Sequence, residues 1–217
     1  MPATRSKPAS GSKSKSLYSV HPSVAMVASG IAQLKGKTGR TIEEWIAFVN
    51  RSGPTDEVAR RDWLKARHGL GTNYAWWIAE RSVGKGEDDG DPDAYLRAAA
   101  KYVDAMYSGK KAHLKPIHDA LIDLGQALGS DVKVCPCATI VPLYRNHVFA
   151  QIKPATLTRI DFALCLKGAK GKLPKRVIDT GGLKKGDRIT HRIEITSVED
   201  IDAEVKKWLQ TAYDLDA

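Results

Sequence analysis

Apolar residues recur at three- and four-residue steps through the first third of the chain, the repeat of an amphipathic helix. Val24, Val27, Ala28, Ile31 and Leu34 predict a helix over residues 22–35 closed by Gly36. Thr41 followed three residues later by Glu44 forms a capping box, and it opens a helix that buries Trp45, Ile46 and Val49 and stops before Gly53-Pro54. Thr55 is placed to cap a third helix over residues 56–67, which runs into His68-Gly69-Leu70-Gly71. A fourth helix over residues 72–83 carries Ala75, Trp76, Ile78 and Ala79. These four helices predict a small all-α domain over residues 17–84.

Residues 84–92 hold three glycines, one proline and four acids with no periodic apolar position, so residues 85–91 read as an acidic interdomain linker. Helical spacing returns over residues 92–108 and 114–128. The period then changes to that of strands at residues 132–134, 138–144, 147–153, 159–166 and 188–195, the second and third joined by a tight Arg145-Asn146 turn. A last helix begins at Ser197 and carries Val198, Ile201, Val205, Trp208, Leu209 and Ala212 in one stripe. The fold class is therefore α+β: a small all-α N-terminal domain, then an α+β domain over residues 92–217 whose mainly antiparallel sheet is covered by helices on one face.

Length and charge narrow the class of protein. The 217 residues suffice for one or two domains with a sizeable core. Lys and Arg number 34 against 25 Asp and Glu, a net charge of +9, which attracts polyanions without giving specificity. Residues 1–16 contain Arg5, Lys7, Lys13 and Lys15 with neither an acid nor an apolar core, so they predict a disordered basic tail and no secretory signal. Three cysteines, Cys135, Cys137 and Cys165, give no disulfide framework, which points to a reducing cytoplasm. No apolar run approaches the ~20 residues that a bilayer requires, so no membrane partner is expected.

The segment Lys-Thr-Gly-Arg-Thr-Ile-Glu-Glu-Trp-Ile at residues 37–46, then Trp63-Leu64-Lys65, His68-Gly69-Leu70-Gly71 and Ala75, resembles the bacterial domain of unknown function 4287. Leu-Gly-Ser-Asp-Val at 128–132, Phe-Ala-Gln-Ile-Lys-Pro at 149–154 and His-Arg-Ile-Glu-Ile-Thr-Ser-Val-Glu-Asp-Ile-Asp at 191–202 resemble domain of unknown function 5655. The resemblance spans about residues 20–215. It implies an all-α domain followed by an α+β domain, and it carries no activity and no catalytic residues. Asn73-Tyr74 departs from the family pattern.

Gly69-Leu70-Gly71 followed by Ala75 and Ile78 has the spacing of a helix-hairpin-helix turn. Two glycines permit a sharp turn, and the N–H groups that open the next helix, with the positive end of its dipole, suit one DNA phosphate. Arg60, Arg61, Lys65 and Arg67 stand nearby and complete a candidate nucleic-acid site with Gly69, Leu70 and Gly71. The competing reading is an ordinary helix connection with a solvated basic face. Trp45, Trp63, Trp76 and Trp77 crowd the same unit, and the adjacent pair cannot both face one side of a helix, which leaves one indole for solvent or for stacking on a base or a partner.

Residues 167–192 hold nine basic residues against Asp179 and Asp187, either a phosphate-contacting arm or a soluble connection. On the predicted hairpin, Tyr144, Phe149, Gln151 and Lys153 share a mixed face opposite the apolar Val141, Leu143, Val148, Ala150 and Ile152. That face is either a cleft for a small anionic ligand or a covering of the sheet. Cys135-Pro136-Cys137 lacks the second pair of ligands that a zinc site needs, so no metal is expected. Gln151-Ile152-Lys153 with Asp131 faintly resembles a metal-dependent nuclease, although further carboxylates are missing. No phosphate loop, nucleophile elbow or His-Glu-x-x-His motif occurs, and no cofactor is expected. The sequence thus favours a non-enzymatic module that binds nucleic acid, with a small-anion module second and a nuclease-like hydrolase third.

Overall fold

A computed structural model describes residues 17–217; the basic tail expected over residues 1–16 lies outside them. Helices α1 (Pro22–Thr38), α2 (Ile42–Ser52), α3 (Glu57–His68) and α4 (Thr72–Ser82) form the helical module. Helix α1 does not stop at Gly36. It continues to Thr38, where Gly39 closes it by donating its N–H to Lys35. The predicted capping box is present at Thr41 and Glu44, and Asp56, not Thr55, caps α3. The module's core gathers Leu34, Ile42, Trp45, Val49, Leu64, Leu70, Ala75, Ile78 and Ala79. Trp77 packs on α1 at Gly30, where a Cβ would come within 2.5 Å of the indole, so this glycine makes room for the ring.

The second module comprises α5 (Pro92–Met106), a short 3₁₀ turn over Gly109–Leu114, α6 (Lys115–Gln126), and a six-stranded sheet with α7 (Gly182–Lys185) and α8 (Ala203–Asp214). The strands are β1 (Lys133–Val134), β2 (Val141–Tyr144), β3 (Val148–Lys153), β4 (Ile160–Leu164), β5 (Ile178–Asp179) and β6 (His191–Ile195). They lie in the order β1-β2-β3-β4-β6-β5, with every neighbouring pair antiparallel. Val141, Leu143, Ala150, Ile152, Ile160, Phe162, Leu164, Ile193 and Ile195 are fully buried. They form the apolar face on which α6 and α8 (Ala203–Asp214) pack, Gly125 of α6 lying so close to Leu143 that a Cβ would meet its methyl at 2.6 Å.

Strand β5 and the four-residue α7 fall within residues 168–186, which the glycine- and lysine-rich sequence predicts as a long loop between strands. Two-residue strands carry too few positions for alternation to register. The acidic segment is likewise anchored. Lys85 pairs with Glu57 at 2.9 Å, Tyr102 donates its hydroxyl to Asp88, and Asp91 caps α5 through the Ala94 N–H. Val24 of α1 packs on Tyr95 and Ala99 of α5, and the Ser19 N–H donates to the Val134 carbonyl, so the helical module is fastened to the edge of the sheet.

The β2–β3 pairing has a bulge. Leu143 faces Ala150 but Tyr144 faces Val148, so Phe149 is an extra residue without a partner on β2. The bulge overturns strict alternation: Phe149 is fully buried, with its ring 5.7 Å from that of Tyr213, and does not belong to the open face. Substituting Phe149→Ala is expected to cost about 3–5 kcal/mol of folding stability, whereas Lys153→Ala on the exposed face should stay within about 0.5 kcal/mol. Urea denaturation of the two variants checks this, and equal effects would contradict the bulge.

His118 on α6 is buried against the Tyr107 ring, with ring centroids 4.7 Å apart. Burial pulls its pKa below the ordinary histidine value despite a 3.0 Å contact with Asp119. The unfolded chain therefore takes up the proton first. Stability contributed by the neutral imidazole should be present above about pH 6.5 and should fall as pH drops through that value toward the lower folded pKa. Comparing denaturation at pH 7.5 and 5.5 in the parent and in His118→Gln should show a smaller pH dependence in the variant.

Candidate nucleic-acid interface

The turn between α3 and α4 is built from three residues with separate tasks. Gly69 takes the left-handed conformation, φ 64°, that ends α3, and its N–H reaches back to the carbonyls of Leu64 and Lys65. Leu70 is buried in the module's core and donates its N–H to Leu64, closing the same turn. Gly71 is the first residue flanking α4, with ordinary extended torsions of φ −63° and ψ 157° that any residue can adopt. A Cβ added at Gly71 would meet nothing within 4 Å, so neither backbone strain nor packing explains glycine there.

What the glycine does is leave the start of α4 bare. Helices α1, α2 and α3 have side-chain caps from His21, Thr41 and Asp56, while α4 has no side-chain cap bond. Its first-turn N–H groups and the positive end of its dipole face outward. Two depressions flank this point. One, of about 500 Å³, is lined by Lys37, Thr38, Trp45, His68, Tyr74 and the turn itself. The other, of about 390 Å³, is lined by residues 71–74 and Trp77. Lys37 stands 5.9 Å from the Tyr74 ring centroid. The sequence reading missed Lys37 because it ended α1 at Gly36, two residues before the helix ends.

The cations named from the sequence divide into two pairs. Arg60 is not available to a phosphate: it is buried, and its guanidinium donates to the Pro54 carbonyl at 2.7 Å, Asn50 Oδ1 at 2.9 Å and Ser82 Oγ and carbonyl at 2.6 and 3.0 Å. Arg61 is engaged by Glu57 and lies over the Trp76 ring, 4.0 Å from its centroid. Lys65 and Arg67, in the last turn of α3 beside Gly69, are exposed. Trp76 is the exposed member of the adjacent tryptophan pair at 45%, with its Nε1–H donated to Glu80, while Trp77 is buried.

The hairpin residues do not gather into a cleft. Phe149 is in the core. The Tyr144 hydroxyl is 3.0 Å from His21 Nε2 on the helical module, Gln151 is half-buried, and Lys153 is exposed opposite Asp161. Beside Lys153 the open face carries a closed ring of ion pairs in which Arg159 and Arg192 each bridge Asp161 and Glu194 at 2.8–3.0 Å. Asp131 is spent on Arg145 at 2.9 Å and on the Tyr213 hydroxyl at 2.7 Å, and these two bonds hold its carboxyl below the usual range. Burial pushes the Cys135 thiol up to about 12, which disfavours the thiolate that a metal requires. Among the described residues, no group of three or more His, Cys, Asp or Glu is arranged to hold a metal ion, and no helix is long and apolar enough to cross a membrane.

A bare helix opening on a small α-module, joined to an antiparallel sheet layered with helices, defines a two-module α+β protein. Residues 103–216, more than half of the chain, match the model of a domain of unknown function, DUF5655, and the chain belongs to that family. Residues 27–81 match a second domain of unknown function, DUF4287, which coincides with the helical module. Neither a curated protein nor a solved structure matches the chain.

The different placement of the arginines is measurable. Arg60→Ala removes the hydrogen bonds of a buried charged group and should cost at least about 1.5–3 kcal/mol. The Lys65→Ala/Arg67→Ala pair should change stability by no more than about 0.5 kcal/mol per site. Thermal melts of both variants decide the assignment.

Proposed function

We propose that this chain is a non-enzymatic nucleic-acid-binding module that grips a phosphate at the opening of α4. The observation that carries the reading is Gly71, a glycine that neither torsion nor packing requires, at the one position where a side chain would cap α4. A Ser, Asp or Asn there would satisfy the helix from within. Glycine leaves the N–H groups to a ligand, and an anion is what a helix N-terminus favours. Lys37, Lys65 and Arg67 supply cations around the same turn, and the net charge of +9 draws polyanions toward it. Three free cysteines, two of them buried, support a reducing, cytoplasmic setting for such a partner.

Gly71→Asp tests the reading because it separates stability from binding. The new carboxylate caps α4 and should hold or raise stability by a few tenths of a kcal/mol. It also places a negative charge where the phosphate would sit. Binding of the full chain to a fluorescent duplex, followed by anisotropy across a salt series, should weaken. The slope of log K against log salt should fall by about 0.9 for each duplex phosphate that the variant no longer neutralises. A variant with native circular dichroism that binds with unchanged affinity and slope would sink the proposal.

A further inference from the structure

The basic stretch over residues 167–192, which follows β4 and runs into β6, divides its charges by residue type. Its three arginines are used internally. Arg176 bonds Asp202 at 2.5 Å and also the Asp200 carbonyl, Arg188 donates to the Val148 carbonyl and to Asp216, and Arg192 belongs to the ion-pair ring. Its six lysines, Lys167, Lys170, Lys172, Lys175, Lys184 and Lys185, are all exposed and have no ion pair among the described residues. The lobe that carries them is firmly built. Buried Thr190 receives the Thr180 N–H on its carbonyl and the Leu166 N–H on its hydroxyl, and it gives its own N–H to Leu164. Leu166 and Val177 are buried in the main core, with Ala169 and Leu173 packed against it.

We infer that this lobe is a second nucleic-acid surface, one that takes the phosphate backbone of a duplex without reading its sequence. Residues 167–190 contain no Phe, Tyr or Trp, so the lobe offers nothing on which the bases of a single strand could stack. The same lack denies it the aromatic anchors on which protein partners concentrate binding energy. One exposed leucine, Leu183, is too little apolar surface for insertion into a bilayer. Flexible, strongly hydrated lysine ammonium groups on an ordered support make point-charge contacts to phosphates, and such contacts are sequence-blind. The inference stands on residues far along the chain from Gly71 and does not require the α4 site.

The test neutralises four lysines that hold nothing inside the protein: Lys170→Gln, Lys172→Gln, Lys184→Gln and Lys185→Gln together in the full chain. The melting temperature should be unchanged. On a 30-base-pair duplex, the salt slope should fall by up to about 3.6, about 0.9 for each phosphate left without its lysine, and by the same amount for two unrelated sequences. An unchanged slope with a folded variant would overturn the inference. So would an unchanged duplex slope accompanied by failure to bind vesicles containing anionic lipid, which would make the lobe a membrane patch. If Gly71→Asp leaves the slope intact while the lysine variant lowers it, the α4 reading fails and the lobe stands; the reverse pattern retains only α4.

Discussion

The shape of the helical module hangs on the buried guanidinium of Arg60. From α3 it reaches the carbonyl of Pro54 before its own helix, Asn50 near the end of α2, and Ser82 at the end of α4. A planar group with several donors in fixed directions can satisfy acceptors from three elements at once, which an ammonium on a flexible stem does less well. The C-terminal end of α4 is thereby tied to the start of α3. The opposite end of the same helix pair is left to the Gly69-Leu70-Gly71 turn, so one end is fastened from within and the other is open to solvent. Helix ends are costly to leave unsatisfied in an interior, and α4 avoids that cost only because its opening is on the surface.

The same division of labour appears in the α+β module. Asp216, buried next to the last residue, accepts the His147 N–H at 2.8 Å and pairs with Arg188, which fastens the chain end to the β2–β3 turn and to the basic lobe. Arg145 lies over Tyr213 of α8, 4.2 Å from the ring centroid, and bonds Asp131 after α6, tying both covering helices to that turn. Arginine in these places secures the scaffold, while the lysines of the lobe project from it. A count of basic residues cannot make that distinction, because it gives Arg60 and Lys65 the same weight.

The sequence reading succeeded where a repeat is long. The helical module, the antiparallel order of the main strands, the capping box at Thr41 and the exposure of one of two adjacent tryptophans all follow from spacing over many residues. It failed where one residue changes the phase. At Gly36 a helix-breaking residue sits inside α1 at a small cost that neighbouring turns absorb, and the misplaced end hid Lys37. At Phe149 a single inserted residue moved an aromatic ring from the open face to the core. Burial of Arg60 left no signal either, since its partners are two backbone carbonyls and two polar side chains scattered over residues 50–82.

The acidic segment looks like a tether by composition, yet two of its four acids and its lysine are engaged in fastening. Asp88 receives the Tyr102 hydroxyl, Asp91 caps α5, and Lys85 crosses to Glu57 on α3. His21, which caps α1, also reaches Tyr144 on the sheet. A flexible linker would let the two proposed phosphate sites search for a common duplex independently, with an effective concentration set by its length. Anchoring would replace that search by a fixed geometry. The two proposed sites, so held, would strengthen one another only on a partner whose phosphates match their spacing, and a stiff duplex, with its regular phosphate repeat, would meet such a requirement better than a single strand that bends to any shape.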